Sequence, residues 1–119
     1  MTHKILIIAR NAPYGSSLAR EGLDYVLTSA AYDQDISLLF MGDGLFQLIK
    51  QQDSQAISLK SHIGAMEILP LYDIENFLAV EEDLTERGLD IGQLGLNVKL
   101  IKRTDVSQII NSHDKVLSF

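Results

Sequence analysis

Near the start of the sequence stands Ile5-Leu6-Ile7-Ile8-Ala9, an unbroken run of five apolar residues, three of them β-branched. A run of this kind is typical of a strand covered on both faces, as in a parallel sheet. The next residues, 10–15, include Asn, Pro and Gly and predict a loop. From Leu18 to Tyr32 apolar residues recur at helical spacing, which predicts an amphipathic helix. Strand, loop and helix in this order predict the first half of a β-α-β unit.

The same alternation continues along the chain. Further strands are predicted at Ile36–Met41, Phe77–Val80, Val98–Ile101 and Lys115–Phe119. Further helices are predicted at Leu45–Ile49, Glu82–Arg87 and Val106–Ile110, the second with Gly88 as its C-cap. Another is predicted from the apolar stripe Leu59, Ile63, Met66 and Leu69, and Pro70 ends it. A polar loop is predicted at Gln51–Ser54. The pattern predicts one domain spanning residues 1–119, a three-layer α/β sandwich of flavodoxin-like shape on a mostly parallel five-stranded sheet.

Composition excludes several kinds of chemistry. The 119 residues contain no cysteine, so this chain can form no disulfide, no thiolate zinc site and no covalent sulfur adduct on a thiol. The three histidines, His3, His62 and His113, lack metal-ligand spacing, and no metal or other cofactor is expected. The net charge of −6 disfavours direct nucleic-acid binding. The first apolar run is too short for a signal-peptide core or a membrane span, so we expect a cytoplasmic protein without membrane contact.

Ligands of parallel α/β sheets usually bind beyond the carboxyl ends of the strands. The segments predicted there are Arg10–Ser17, Gly42–Gly44 and Glu81–Asp83. The first could bind an anion at a helix N-terminus, but it matches no nucleotide-binding motif, and an ordinary connection capped by Ser16 or Ser17 is favoured. Asp43, in the second segment, and Thr104, before the last helix, are further candidate helix caps.

The third segment, Glu81-Glu82-Asp83, is the densest charge cluster. Paired carboxylates can bind a hard cation or divide acid and base roles, but acidic residues also favour a first helical turn, so a solvated acidic face is preferred. More broadly, the stretch from Glu67 to Asp90 holds eight of the sixteen acids and a single base, Arg87. This asymmetry suits either a basic partner surface or an acidic face in solvent. His62 is predicted to be a half-buried packing residue.

Three segments, taken in order, carry a family resemblance. They are Ala12-Pro13-Tyr14-Gly15 followed by Ala19-Arg20-Glu21-Gly22-Leu23-Asp24, then Met41-Gly42-Asp43-Gly44-Leu45-Phe46-Gln47-Leu48, and then Leu71-Tyr72-Asp73-Ile74-Glu75 followed by Glu86-Arg87-Gly88-Leu89. Over essentially the whole chain they resemble the DsrE/DsrF-like family, and within it the TusC-type (DsrF-type) branch. The motif positions are Arg20, Glu21, Gly22, Gly42, Asp43, Gly44, Phe46, Tyr72, Asp73, Arg87 and Gly88.

The resemblance implies a subunit of a heterohexamer built as two heterotrimers with TusB-like and TusD-like chains. In that relay a TusD-like chain takes persulfide sulfur onto a cysteine and passes it to a small carrier protein, for 2-thiolation of the wobble uridine of tRNA. Counting back from the Arg87-Gly88 motif, the family's reactive cysteine falls at about Val80, which cannot form a persulfide. Candidate interface aromatics are Tyr14, Tyr25, Phe46 and Tyr72, each of which could equally belong to the core.

The resulting hypothesis is a non-catalytic subunit that assembles cysteine-bearing partners. Three alternatives stay open. The chain could be a DsrF-type subunit of a DsrEFH complex in sulfur oxidation, a flavodoxin-like domain that binds a flavin or nucleotide through residues 10–17, or a homo-oligomeric member of the family.

Overall fold

The chain folds around a five-stranded parallel sheet. The computed structural model describes residues 3–32, 34–50 and 57–119. The strands are β1 (Lys4–Ala9), β2 (Asp35–Phe40), β3 (Asn76–Val80), β4 (Lys99–Ile101) and β5 (Lys115–Ser118), in the spatial order β4-β3-β2-β1-β5. Every pairing is parallel, so the predicted sheet is confirmed. The strand assignments differ from the predictions only at their ends. Met41, Val98 and Phe119 lie just outside β2, β4 and β5, and the first three strands each begin one residue earlier than predicted.

Four α-helices connect the strands, together with short 3-10 helices. The α-helices are α1 (Leu18–Ser29), α2 (Ile57–Glu67), α3 (Glu81–Glu86) and α4 (Val106–Asn111). The 3-10 helices are Ala30–Tyr32, Gly42–Leu48, Leu69–Tyr72, Ile91–Gln93 and Arg103–Asp105. Two of these 3-10 helices lie where an α-helix was predicted. Ala30–Tyr32 forms the end of the predicted helix Leu18–Tyr32, and Gly42–Leu48 overlaps the predicted helix Leu45–Ile49. The polar loop predicted at 51–54 lies outside the described residues.

The order of the strands explains the three layers. The steps from β1 to β4 all run in one direction across the sheet, whereas the step from β4 to β5 returns to the far side of β1. Crossovers between parallel strands are right-handed. A helix that connects strands in one direction across the sheet therefore lies on one face, and a helix that connects strands in the opposite direction lies on the other face. Leu23 of α1, Ile63 of α2 and Leu84 of α3 accordingly join one apolar core, whereas Val106 and Ile109 of α4 pack against the other. The predicted three-layer sandwich is confirmed.

The strands alternate between the two cores. In β1 the side chains of Ile5 and Ile7 enter the larger core and those of Leu6 and Ile8 enter the smaller one, and all four are buried. This is the two-sided burial that the unbroken apolar run predicts. Within the described ranges, none of the helices is long and apolar enough to span a membrane.

Helix ends differ from the predictions at their N-terminal caps. Ser17 has helical torsion angles (φ −90°, ψ −1°) and makes no side-chain cap, and the Ser16 hydroxyl accepts only a long 3.4 Å bond from the Leu18 N–H. Thr104 lies inside a 3-10 turn, so α4 also starts without a side-chain cap. A capping side chain needs extended backbone at its own residue, which these positions lack. The predicted C-cap is correct, because Gly88 adopts φ +64° beyond the end of α3.

Candidate functional site at the carboxyl edge of the sheet

The three segments predicted at the carboxyl edge of the sheet do meet there. The Met41 N–H donates to the Ala9 carbonyl oxygen at 3.1 Å, which joins the ends of β1 and β2. The Gly42 N–H donates to Asp83 Oδ2 at 2.8 Å, which joins the end of β2 to α3. Backbone and side-chain bonds therefore connect residues far apart in sequence into one edge.

Gly44 is required by this convergence. A Cβ atom built on Gly44 would overlap the carbonyl oxygen of Ala9, so the Gly42–Leu48 helix can approach the end of β1 only without a side chain here. Gly42 has φ +57°, a left-handed conformation that glycine adopts without strain. The two glycines of the motif therefore serve the backbone path that places the Gly42 N–H over Asp83.

Asp83 is the centre of the edge. It is buried, accepts the Gly42 N–H bond, and is in direct contact with the Arg103 guanidinium, with Arg87 Nη1 at 3.9 Å. Burial by itself raises the pKa of the Asp83 carboxyl, but the bonds from Gly42 and Arg103 outweigh it, so the pKa is lowered overall. Asp83 is therefore a charged, structurally bonded carboxylate, and the prediction of a solvated acidic face is wrong at this residue.

Arg87 ties the second motif segment to the third. Its Nε and Nη2 atoms each lie 3.1 Å from Asp43 Oδ1, and its Nη1 donates to the Asp83 carbonyl oxygen at 3.2 Å. Asp43 therefore pairs with Arg87 across 44 residues instead of capping its own helix, and the predicted cap is wrong. The Arg87 side chain is 23% exposed but that of Asp43 is 63% exposed, so solvent screens this pair as it does a surface ion pair.

Two basic residues that follow β4 complete the cluster. Arg103 also contacts Glu86 at 2.9 Å, and its backbone N–H donates to Glu82 Oε1 at 2.9 Å, which lowers the pKa of Glu82. Lys102 forms an ion pair with Glu81 that raises the pKa of Lys102. The run of acids at 81–83 and Glu86 is thus matched by cations from its own chain. We call Asp43, the four acids of α3, Arg87, Lys102 and Arg103 the edge cluster.

A second polar group is buried in the larger core. His62 Nε2 donates to Gln47 Oε1 at 2.9 Å, and Gln47 Nε2 donates to the carbonyl oxygen of Asn11 at 2.7 Å. Burial lowers the pKa of His62, with a further contribution from Arg20 that Asp24 partly opposes. His62 is therefore a neutral, hydrogen-bonded residue that links α2, through Gln47, to the loop after β1. It was predicted to be half-buried and is in fact buried.

Val80 lies at the last position of β3, where the resemblance places the family's reactive cysteine. Its side chain is fully buried in the smaller core, and its backbone is the N-cap of α3. An aliphatic side chain here offers no nucleophile.

The other motif positions lie apart from the edge cluster. Arg20 pairs with Asp24 at 3.5 Å on α1, and Gly22 of the same helix packs against the ring of Phe119. Tyr72 is 54% exposed and Asp73 has φ +64° at the end of the Leu69–Tyr72 helix.

The four candidate interface aromatics divide by exposure. Tyr14 and Tyr72 are exposed, so they remain candidates for contacts outside this chain. Tyr25 packs against the larger core with its ring 6.1 Å from that of Phe119, and Phe46 is half-buried.

The edge cluster can hold loops in place, but it offers no reactive group beyond its paired charges. Among the described residues no group of His, Asp and Glu is arranged to hold a metal ion. Sequence analysis missed Arg103 and Gln47. The four-residue spacing of Asp83 and Arg87 was a usable signal for one ion pair. Arg103 reaches Asp83 only because β4 lies beside β3, which local sequence does not encode.

Comparisons with known proteins give consistent relatives along the whole chain. The model of the DsrE/DsrF-like family matches residues 3–119. A "Protein TusC homolog" of Vibrio parahaemolyticus is 34% identical over 98% of both chains, and one of Aliivibrio fischeri is 31% identical over 98% of this chain and 99% of its own. "Protein TusC" of Buchnera aphidicola is 33% identical over 98% of both chains. The crystal structure of the ychN protein from E. coli superposes with a TM-score of 0.79 at 25% identity, covering 99% of this chain and all of that one.

Proposed function

Because the chain belongs to the DsrE/DsrF-like family, we propose that it is the TusC-type, non-catalytic subunit of a cytoplasmic sulfur relay complex that supports 2-thiolation of the tRNA wobble uridine. In this proposal it assembles with TusB-like and TusD-like chains as a heterohexamer of two heterotrimers. It holds and orients the cysteine-bearing partners and reaches the small sulfur-carrier protein and the tRNA only through them.

The observation that carries the proposal is the full-length similarity to proteins named TusC. Three such relatives are 31–34% identical to the chain and align with 98% of it. Similarity along the entire length supports a shared role of the whole chain better than similarity at a single motif.

The absence of any thiol supports the non-catalytic part of the proposal. A persulfide needs a cysteine sulfur, and the chain has none. At the end of β3 the enclosed Val80 side chain packs in a core position. The contribution of the chain to sulfur transfer is then made through its contacts.

Co-expression tests the assembly. The tagged chain would be produced together with the TusB-like and TusD-like chains of its own genome and purified at physiological salt. We expect all three chains to co-purify, with a native mass that corresponds to two copies of each. Recovery of the tagged chain alone as a monomer would refute the assembly part of the proposal.

Two further measurements test the role. Deletion of the gene should abolish 2-thiouridine in tRNA, detected by retardation on a mercury-containing gel, and a plasmid copy should restore it. If sulfur oxidation is lost instead while thiolation persists, the DsrEFH-type alternative is correct. With a radiolabelled persulfide donor, label should appear on the TusD-like chain and stay absent from this one under non-reducing conditions.

A further inference from the structure

An exposed apolar turn connects α2 to β3. The Leu69–Tyr72 helix presents Leu71, 82% exposed, and Tyr72, 54% exposed, to solvent, and Ile68 just before it is 42% exposed. Three large apolar side chains within five consecutive residues form a patch of the kind that marks an interaction site.

The turn is held rigidly in this orientation. Leu69 and Ile74 are buried in the larger core, and the Ile74 N–H donates to the Leu69 carbonyl oxygen at 3.2 Å. Pro70 restricts the backbone of the first turn, and Asp73 ends it in a left-handed conformation. Because both ends are anchored, the exposed side chains lose little backbone freedom when a partner covers them.

A cleft lies beside the turn. It has a volume of about 610 Å³, and Pro70, Phe77 and Leu96 contribute apolar surface to it. Glu67 and Glu75 also line it, one from the end of α2 and one from just before β3. The Glu67 carboxylate lies over Gly95, 3.2 Å from where a Cβ atom of that glycine would stand. A cleft lined by both apolar side chains and two carboxylates suits a lysine or arginine side chain, whose alkyl stem is apolar and whose end is charged.

Within the part of the chain that the structure describes, the carboxylates of this region differ from those of the edge cluster in having no partner cation. Among the side chains that the structure describes, no basic group lies within 4 Å of Glu67, Asp73 or Glu75. Arg87, Lys102 and Arg103 are all paired with acids of the edge cluster. The acids of residues 67–90 therefore separate into a cluster at 81–86 that is paired with cations and an acidic surface at 67–75 to which the described side chains supply no cation.

We propose that the 67–75 surface, which comprises Ile68, Leu71, Tyr72 and the cleft between Glu67 and Glu75, is the docking site for a basic segment of a partner subunit. The segment places a lysine or arginine side chain in the cleft and apolar side chains on Leu71 and Tyr72. This inference rests on the proposed function, since the partner is a TusB-like or TusD-like chain of the complex. Charge favours such a partner over a second copy, because two chains of −6 repel each other.

Two variants of the surface test the proposal against matched controls. Glu67→Gln/Glu75→Gln removes both cleft charges, and Leu71→Ser removes the most exposed apolar side chain. Asp35→Asn/Asp105→Asn makes the same change in net charge at exposed positions elsewhere, and Ile91→Ser changes an exposed apolar residue outside the surface. Binding of each purified chain to the co-expressed TusB-like and TusD-like pair would be measured between 50 mM and 500 mM salt, with melting temperatures to confirm folding.

The expected result is that each surface variant binds about tenfold more weakly, as truncation of an interface anchor commonly does. The Glu67→Gln/Glu75→Gln variant should in addition lose most of the salt dependence of binding, whereas the controls stay within about threefold of the parent chain. Equal affinity of surface variants and controls overturns the inference while the proposed function stands. Failure of the parent chain to bind the pair overturns both. A parent homodimer that Leu71→Ser dissociates assigns the surface to a second copy and also overturns the inference.

Discussion

Replacement of Asp83 by alanine should destabilise the fold far more than replacement of any other acid in the edge cluster. Asp83 is 6% exposed, receives the Gly42 N–H bond at 2.8 Å and contacts both Arg87 and Arg103. Its removal leaves the Gly42 N–H without its acceptor and weakens the pairing of Arg87 and Arg103, which keep Asp43 and Glu86 as partners. Glu86 is the matched control, because it contacts the same Arg103 but has a side chain that is 57% exposed.

The expected loss follows from the individual contacts. A hydrogen bond to a charged group contributes about 1.5–3 kcal/mol. The two arginine contacts add little, since 47% of Arg103 and 23% of Arg87 remain exposed and solvent screens them. For Asp83→Ala we therefore expect a loss of about 2–3 kcal/mol, which in a chain of this length lowers the melting temperature by about 8–12 °C. Glu86→Ala should cost less than about 1 kcal/mol.

Urea unfolding at pH 7, followed by circular dichroism, measures both losses. Asp83→Asn should fall between the two variants, because its amide oxygen can still accept the Gly42 N–H bond without carrying charge. If Asp83→Ala and Glu86→Ala lose the same free energy of unfolding, the buried carboxylate is not the centre of the edge, and the reasoning from burial fails.

The same residue predicts a pH dependence. The pKa of Asp83 is lower in the folded chain than the ordinary value of about 3.9, so in this window the unfolded chain binds more protons. The stabilisation by the carboxylate is complete above the ordinary pKa and is lost as the pH falls through the lower folded value. The stability difference between the parent chain and Asp83→Asn should therefore be constant from pH 5 to 7 and should shrink below about pH 4.

Further predictions follow from four single positions. Burial lowers the pKa of His62, so the free energy of unfolding should fall as the pH drops below about 6.5. Urea titrations at pH 5.5 and 7.5 should show a smaller difference in the free energy of unfolding for His62→Gln than for the parent chain. Gly44→Ala should cost at least about 3 kcal/mol because its methyl group overlaps the Ala9 carbonyl oxygen. Gly64→Ala, in α2, meets no described atom within 4 Å and should stabilise by about 0.5–1 kcal/mol, as thermal melts would show. Val80→Cys should resist a thiol reagent until urea unfolds the chain, because the position is fully enclosed, and rapid labelling of the folded protein would contradict this.

The sheet could be predicted from sequence because burial on both faces leaves a local signal. Ile5–Ala9 and Ile36–Phe40 are nearly continuous apolar runs, and such runs have few alternatives once helices of regular spacing separate them. The spatial order of the strands could not be predicted in the same way. Nothing within Lys115–Ser118 indicates that this strand pairs with β1 instead of extending the sheet beyond β4.

The edge at which the polar segments meet could be predicted from sequence, but the contacts that they make there could not. The positions of the strand ends indicated where the polar segments would meet. The role of Asp83 depends in addition on which turn of α3 faces the end of β2, which the strand ends do not determine. Asp43 shows why local propensity failed. The residue type suits a helix cap, but the N-cap position falls at Met41, and Arg87 lies within 3.1 Å of the Asp43 carboxylate and pairs with it.

The arrangement of the edge bears on how a chain without a thiol can serve sulfur transfer. Asp83 accepts the Gly42 N–H bond and contacts Arg87 and Arg103, so an independent shift of the ends of β2, β3 or β4 breaks a contact of this buried carboxylate. A partner that binds against such an edge meets a surface already in its final conformation and loses little entropy in ordering it. The 67–75 surface is held in place in the same way, by the buried side chains of Leu69 and Ile74. Rigid presentation at both places favours a subunit that fixes the positions of its partners over one that folds around them.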